Sequence, residues 1–185
     1  MKLKKLKKIN EATKLSTPVF NVVEKEYEDL QFKPVGLNCK DWVMVIARDE
    51  PTGKDPVCIF VKQTRWGCEH STIEFPCGTV EDGEDCFDVA AREFLEETGI
   101  KISATSLKEV AVFNPNPAYF NNKMHIFIYN DKNLIQKFCE RGNQSLDENE
   151  DCEVFLARLS TQKTLLSKHA MGIIASALAE KDTTL

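Results

Sequence analysis

The sequence predicts one α/β (α+β) domain in which helices pack on a sheet. At 185 residues, the chain is long enough for a single domain with a sizeable core. Its composition, 42% hydrophobic and 29% charged, is that of an ordinary globular protein. Short apolar runs of strand length alternate with one central and one terminal helical stretch, a pattern that is typical of layered domains.

Each predicted element follows from the spacing of its apolar residues and from the turn residues that bound it. The segment 51–54 (PTGK) has good turn chemistry and joins two strand-like runs, and a loop with two glycines at 76–83 precedes the central helix. The predicted strands lie at 18–33, 41–49, 56–63, up to 74–75, 107–113, 123–130 and 152–159, and the predicted helices at about 84–98 and 161–180.

Charge, hydropathy and cysteine usage limit the classes of partner and compartment. The net charge of −5 gives no reason to expect a nucleic-acid partner, and no apolar run approaches the ~18 residues of a membrane helix. Residues 1–15 are basic and are expected to form a solvated tail before a domain over 16–185, with a membrane anchor or a nucleic-acid arm as the alternative. Seven cysteines without a CxxC pair favour a reducing, cytoplasmic compartment.

The predicted central helix separates its apolar side chains from its acidic ones. A helix turns by about 100° per residue, so residues three and four apart share a face. The apolar face is expected to pack on the core, which leaves the carboxylates together on the other side. The predicted apolar face carries Phe87, Ala91, Phe94, Leu95 and Thr98, and the predicted acidic face carries Glu93, Glu96 and Glu97.

The simpler interpretation of the acidic face is that it is only a solvated helix face. Its negative charge is more concentrated than that interpretation requires. Residues 81–97 hold eight acids and one arginine, a net charge of −7, whereas the rest of the chain carries +2. Glu93 and Glu97 are like charges four residues apart, which costs about 0.2–0.5 kcal/mol without a counter-ion. A hard divalent cation such as Mg²⁺ or Mn²⁺ relieves this repulsion. Gly78 and Gly83 would let the backbone approach the same spot and contribute a carbonyl ligand.

The glycine and charged positions from Gly78 through Glu84 to 92–100 (REFLEETGI) resemble the Nudix box, which would cover 78–100. Phe94 stands where a bulky aliphatic residue is commoner. The resemblance implies an αβα sandwich with a mixed central sheet and a loop–helix–loop that binds divalent metal. The resemblance also implies a role for individual residues. Glu93, Glu97 and the backbone carbonyl of Cys77 would be metal ligands, with Glu96 as the next candidate. Glu84 and Arg92 would be the pair that braces the loop against the helix.

Further segments are similar to the ADP-ribose and ADP-sugar pyrophosphatase branch of that family. They are 62–65 (KQTR), 74–78 (EFPCG), Pro115 and the acidic run 148–151 (ENED). This resemblance implies that Arg65 meets a substrate phosphate and that Glu74 takes part in substrate binding. It also implies that Glu148 is the general base, that Glu150 is an additional metal ligand, and that the chain forms a homodimer in which the N-terminal strands near 18–33 take part. If the acidic run is only a solvated loop, Glu96 is the alternative base.

The function that the resemblance implies is Mg²⁺- or Mn²⁺-dependent hydrolysis of ADP-ribose or an ADP-sugar to AMP and a sugar phosphate. The chain departs from the branch at 114–122 (NPNPAYFNN) and at Cys77, which stands in place of alanine. The first of these segments faces the substrate in that branch, so the leaving nucleoside or sugar stays open. Four aromatic residues could stack a base or pack in the core: Trp42, Trp66, Tyr119 and Phe120. The alternatives are another nucleotide substrate (a nucleoside triphosphate, NADH or a dinucleotide), a catalytically silent nucleotide-binding module, and an acidic interaction domain.

Overall fold

A seven-stranded mixed sheet and a separate three-stranded sheet organise the protein in a computed structural model, which describes residues 6–49, 55–65, 67–141 and 152–181. The strands are β1 Lys8–Ser16, β2 Phe20–Tyr27, β3 Val35–Cys39, β4 Trp42–Arg48, β5 Val57–Arg65, β6 His70–Glu74, β7 Cys77–Thr79, β8 Lys108–Phe113, β9 Met124–Asn130 and β10 Cys152–Arg158. The helices are α1 Cys86–Thr98, α2 Leu134–Glu140, α3 Leu159–Leu166 and α4 Ala170–Ala179, with a 3-10 turn at Ala104–Ser106.

Strand β4 lies at the centre of the large sheet, whose main path runs β10-β5-β4-β9-β8. Its residues 43–48 are all buried, as expected for a strand covered on both faces. It pairs in parallel with β9 and antiparallel with β5 and β7, which makes the sheet mixed. Strand β6 joins the sheet by pairing antiparallel with β5.

Alternating residues of β4 enter two hydrophobic cores, one on each face of the sheet. Val43 and Val45 pack in the core that α1 covers through Phe94. Met44 and Ile46 pack in the core that α3 and α4 cover, for example through Leu166 of α3. Since side chains alternate between the faces of a strand, one apolar run serves both cores. The predicted αβα sandwich with a mixed central sheet is confirmed.

Helix α1 has clear signals at both ends. The Asp85 side chain caps its start by accepting from the amides of Phe87 at 2.9 Å and Asp88 at 3.3 Å. Gly99 ends it in the left-handed conformation at φ 73°, and its amide donates to the Leu95 carbonyl. These contacts fix where the helix begins and therefore which of its side chains face the sheet.

The predicted apolar face of α1 is wrong in two respects. Leu95 is only half-buried, whereas the buried set is Val89, Ala90, Phe94, Glu97 and Thr98. Glu97 therefore lies on the sheet-facing side, where the amide of Cys77 donates to its carboxylate at 3.1 Å. The prediction failed because the sheet contacts a face centred on Ala90, Phe94 and Glu97, and a hydrogen bond makes the buried glutamate tolerable.

The N-terminal segment also differs from its prediction. Residues 8–15, which were expected in a solvated tail, form most of strand β1, which pairs antiparallel with β2. Its side chains are nearly all exposed, so little apolar burial marks it as a strand. Its lysines pair with glutamates, as in the 3.1 Å contact between Lys14 and Glu24. The three-stranded sheet reaches the rest of the protein through backbone bonds such as Leu37 N to Tyr119 O at 2.7 Å.

The C-terminal segment forms two helices instead of the predicted single helix over 161–180. Helices α3 and α4 are separated by residues 167–169, and Arg48 fixes the far end of α4. The fully buried Arg48 donates through Nη1 to the carbonyls of Ala179 at 2.6 Å and Lys181 at 2.8 Å.

Helix α2 was not predicted, and the expected turn at 51–54 lies outside the described residues. In the part of the chain that the structure describes, no helix has the length and apolar character needed to cross a membrane.

Candidate metal and phosphate site

A cleft of about 1520 Å³ brings together side chains from distant parts of the chain. Helix α1 contributes Arg92, Glu93, Glu96 and Glu97, which we call the acidic wall. The β5–β6 hairpin contributes the Arg65–Glu74 pair, and the N-terminal part of α4 contributes His169, Ala170 and Met171. Apolar and aromatic side chains complete the lining, among them Phe20, Trp42, Pro115, Phe120 and Met124.

Gly78 allows the backbone of β7 to lie directly against the acidic wall. A Cβ atom at this position would lie 2.0 Å from Cδ and 2.3 Å from Oε2 of Glu93. No side chain fits there unless the carboxylate moves. The glycine therefore fixes a close approach between backbone and carboxylate, as predicted for Gly78. The same prediction for Gly83 is wrong, because a Cβ there would meet nothing within 4 Å and the residue does not line the cleft.

Cys77 presents its backbone to the acidic wall. The amide of Val45 donates to the Pro76 carbonyl at 2.8 Å, and Gly78 stands opposite Val43, so Cys77 occupies a non-hydrogen-bonded position of the β4–β7 ladder. At such a position the N–H and C=O both point away from the partner strand. The N–H donates to Glu97, so the Cys77 carbonyl faces the same side as the Glu97 carboxylate.

Arg92 is the positive charge within the acidic wall. Its Nη1 atom lies 2.9 Å from Glu93 Oε1 and 3.1 Å from Glu96 Oε2, and its Nη2 atom lies 3.5 Å from Glu84 Oε2. Glu84 also accepts from the Glu81 amide at 2.9 Å, in the loop before α1. Burial lowers the pKa of Arg92, but the neighbouring carboxylates raise it more, so the guanidinium stays charged.

The Arg65–Glu74 pair is bidentate. Nε of Arg65 donates to Oε1 of Glu74 at 2.9 Å, and Nη2 donates to Oε2 at 2.6 Å. Thr72 donates a further hydrogen bond to the same carboxylate. Glu74 is buried at 4% exposure, while the Arg65 side chain is 40% exposed and lines the cleft. Burial raises the pKa of Glu74, but the hydrogen bonds from Arg65 lower it more, so this carboxyl stays ionised.

The Cys77 side chain lies beside this pair. Its Sγ atom is 3.5 Å from Arg65 Nη2 and 3.8 Å from Glu74 Oε2. Burial, with the charges of Glu97 and Glu74, raises the pKa of the thiol well above its usual value. The side chain is therefore a neutral thiol between the acidic wall and the Arg65–Glu74 pair.

The oxygen donors that face the cleft suit a hard divalent cation. Glu93 and Glu97 supply carboxylates, and Cys77 supplies a carbonyl on the same side, which are the ligand types that Mg²⁺ and Mn²⁺ prefer. No group of three histidine, cysteine, aspartate or glutamate side chains within the described residues could hold a metal together. Because Mg²⁺ usually keeps several waters and few protein ligands, two carboxylates and a carbonyl fit such an ion.

Most residues singled out in the sequence meet in this cleft, but not all do. Glu84 is not among the lining residues and contacts the acidic wall through Arg92. Tyr119 is 61% exposed and does not line the cleft, whereas Trp42 and Phe120 do. Three positions from the sequence lie outside the described residues: Trp66, Glu148 and Glu150.

Phe20 and His169 are among the cleft residues that the sequence did not single out. Phe20 begins β2 in the small sheet, and its place in the cleft depends on how the two sheets pack. His169 caps the start of α4, where its Nδ1 atom accepts from the Gly172 amide at 3.0 Å. The sequence carries a local sign of this interruption in the predicted helix over 161–180, namely Gly172, three residues after His169.

Three features together characterise the class of protein: an αβα sandwich, a glutamate-rich helix α1 that lies between two glycines, and the Arg65–Glu74 pair beside it. The family model of the NUDIX domain matches residues 40–166, and the chain belongs to the Nudix family. The fold of this chain is similar to that in the crystal structure of an ADP compounds hydrolase, with a TM-score of 0.70. The match covers 96% of this chain and 94% of that chain, at 21% sequence identity.

Two relatives in sequence support the assignment to this family. The chain is 32% identical over 96 residues to an ADP-ribose pyrophosphatase of Bacillus subtilis (strain 168), which covers 52% of this chain and 48% of that one. It is also 32% identical over 123 residues to an uncharacterized Nudix hydrolase of Schizosaccharomyces pombe, which covers 66% and 58%. The chain thus spans about half to three fifths of the length of these relatives.

Proposed function

We propose that the protein hydrolyses the diphosphate bond of ADP-ribose or an ADP-sugar and releases AMP and a sugar phosphate, with Mg²⁺ or Mn²⁺. The observation that carries the proposal is the meeting of the acidic wall and the Arg65–Glu74 pair in one cleft. A diphosphate needs both, since its charge is offset by a metal and its oxygens are oriented by a guanidinium. The similarity to an ADP-ribose pyrophosphatase supports the substrate class.

Each group in the cleft has a role in this proposal. Glu93, Glu97 and the Cys77 carbonyl would hold the metal, which when bound polarises the diphosphate and offsets its charge. Glu74 holds the Arg65 guanidinium in one orientation, so that its exposed part can bind a phosphate oxygen. Arg92 and Glu84 brace the loop before α1 against the helix.

A carboxylate must also take the proton of the attacking water. The resemblance to the ADP-ribose branch gives this role to Glu148 and makes Glu150 an additional metal ligand. Glu96 is the alternative base, because it lines the cleft and its side chain is 55% exposed. Arg92 donates to its Oε2 atom, so Oε1 is the atom that would accept the proton.

A panel of nucleoside-diphosphate compounds tests the proposal. ADP-ribose, ADP-sugars, a nucleoside triphosphate, NADH and a dinucleotide would each be incubated with Mg²⁺ or Mn²⁺, and phosphate release would be read after coupling to a phosphatase. We expect AMP and ribose 5-phosphate from ADP-ribose, and release at least about 100-fold slower by a Glu97→Gln control. Turnover of only another substrate would move the protein to a different branch of the family, and metal binding without any turnover would make it a binding module.

We also propose a homodimer in which the N-terminal strands take part. Strands β1 to β3 form a sheet of their own, and exposed apolar side chains such as Leu15, Val19 and Val35 lie on or beside them. Light scattering at tens of micromolar protein should give twice the chain mass, and a clean monomer would contradict the dimer. A cytoplasmic location is likewise our proposal, supported by seven free cysteines.

A further inference from the structure

His169 connects two parts of the cleft through both nitrogens of its ring. Its Nδ1 atom accepts from the Gly172 amide at 3.0 Å and so caps α4. Its Nε2 atom lies 3.1 Å from the Ile73 carbonyl, to which it donates. Only the neutral tautomer with the proton on Nε2 makes both bonds. One imidazole therefore links the start of α4 to strand β6.

The Ile73 carbonyl is one peptide group away from the Arg65–Glu74 pair. Among the described strands, β6 pairs only with β5, so its other edge needs a different partner. His169 supplies that partner at Ile73. The peptide that His169 holds is the one that joins Ile73 to Glu74, whose carboxylate orients Arg65 in a bidentate contact.

The joint between α3 and α4 keeps the imidazole in place. A Cβ atom at Gly172 would lie 2.2 Å from the Leu166 carbonyl oxygen and 2.8 Å from Cε1 of His169. The glycine thus allows the end of α3, the ring of His169 and the start of α4 to touch. At the other end of α4, Arg48 binds the last carbonyls, so the helix is anchored at both ends.

We propose that His169 is a positioning residue, which acts through the Ile73 carbonyl and Glu74 to hold the Arg65 guanidinium for a substrate phosphate. The proposal rests on the proposed function for its effect on substrate binding. The contact between Arg65 and Glu74 itself can be observed without any substrate. A capping role alone would stabilise α4 and leave Arg65 unaffected.

Two substitutions separate the cap from the link. The Oδ1 atom of asparagine can replace Nδ1 as the acceptor at the start of the helix, but asparagine does not reach Ile73. The Nε2 atom of glutamine can replace the donor to Ile73, but glutamine is a poor cap. His169→Asn should therefore keep the cap and lose the link, and His169→Gln should keep the link and lose the cap. Ala177→Gly, an exposed change in α4 outside the cleft, is the matched control for helix stability.

Three quantities are measured for each variant: Tm, the KM and kcat for the substrate, and the Arg65 Nε–H resonance by NMR. We expect His169→Asn to raise KM by up to about tenfold, the equivalent of one hydrogen bond, with kcat within about threefold and the Arg65 resonance shifted. We expect His169→Gln and Ala177→Gly to lower Tm by about 2–4 °C and to leave KM and the Arg65 resonance as in the wild type.

The outcomes distinguish this proposal from its alternatives. If KM rises in step with the loss of Tm in all three variants, the effect is one of general stability and the proposal is wrong. If His169→Asn leaves both KM and the Arg65 resonance unchanged, His169 is only a cap. If the wild type hydrolyses none of the compounds in the panel, the proposed function fails, and the Arg65 resonance in the asparagine variant still decides whether His169 positions the guanidinium.

Discussion

The acidic wall and the Arg65–Glu74 pair line one cleft but balance their charges differently. In the acidic wall, Arg92 contacts both Glu93 and Glu96, and it also contacts Glu84 of the preceding loop. In the pair, one arginine meets one glutamate through two hydrogen bonds, and the glutamate is buried. The pair is therefore complete by itself, whereas the wall carries an excess of negative charge.

The difference supports the roles that we propose for the two regions. An excess of carboxylates costs stability until a cation arrives, so α1 is suited to take up a metal. A guanidinium already held by a buried carboxylate loses little freedom when it binds an anion, so the pair is suited to a phosphate. The predictions below test this contrast by removing one feature at a time.

The largest effect is expected from Glu148→Gln. This variant tests whether the general base comes from the acidic run 147–151 and not from the acidic wall itself. If Glu148 is the base, kcat should fall by roughly 10²–10⁴ while substrate binding is largely kept. If the run 147–151 is only a solvated loop, the rate should change by less than about threefold. Glu150→Gln, measured in parallel, tests the additional metal ligand. Wild-type turnover by both variants would make Glu96 the leading candidate for the base.

Glu97→Gln tests the metal-binding role of the wall. We expect kcat to fall by at least about 100-fold, because a neutral side chain is a weaker ligand for a Lewis acid. The fold should persist, since the amide oxygen of glutamine can still accept from the Cys77 amide. Glu140→Gln, an exposed change on α2, is the matched control and should keep wild-type rates. Near-normal turnover of Glu97→Gln at saturating Mg²⁺ would show that α1 does not bind the metal.

The elements with strong apolar patterns were predictable from the sequence. Strands β4 and β9 and helix α1 lie within two residues of their predicted bounds, because each buries a continuous or periodic apolar set. Strand β1 was missed, since eight of its nine residues are exposed and it is held by pairing with β2. Helix α2 was missed because it has seven residues and only Leu134 is buried.

The site shows the same limit. Helical spacing grouped the glutamates of the box, and the resemblance to a known family pointed to Arg65, since both depend on neighbouring residues. Spacing could not reveal that Glu74 binds Arg65 in a bidentate contact, which depends on the register of β5 against β6. Nor could it reveal His169, whose partner Ile73 lies 96 residues earlier in the chain. Contacts of this kind arise from tertiary packing and leave no periodic trace.

Gly78→Ala tests the geometry of the wall without removing a charge. The added Cβ would overlap the Glu93 carboxylate at 2.0 Å, so the carboxylate must move away from the backbone. We expect kcat/KM to fall roughly 10- to 100-fold and the Mg²⁺ concentration for half-maximal rate to rise, because a small misplacement of a ligand is costly. Gly67→Ala is the matched control, since it lines the same cleft and its Cβ would meet nothing within 4 Å. Equal activity of the two variants would mean that Glu93 can move without consequence.

The smallest effect is expected from Arg65→Lys, which tests the completed pair. Lysine keeps the positive charge but cannot make the bidentate contact with Glu74, and it offers a phosphate a point charge in place of a fixed fork. KM should therefore rise about 5- to 10-fold, while kcat stays within about threefold because the acidic wall is intact. Lys62→Arg, the reverse exchange on the same strand and outside the cleft, should change neither value. If Arg65→Lys lowers kcat and leaves KM as it was, the guanidinium acts on the transition state, and the division between a metal wall and a phosphate-binding pair does not hold.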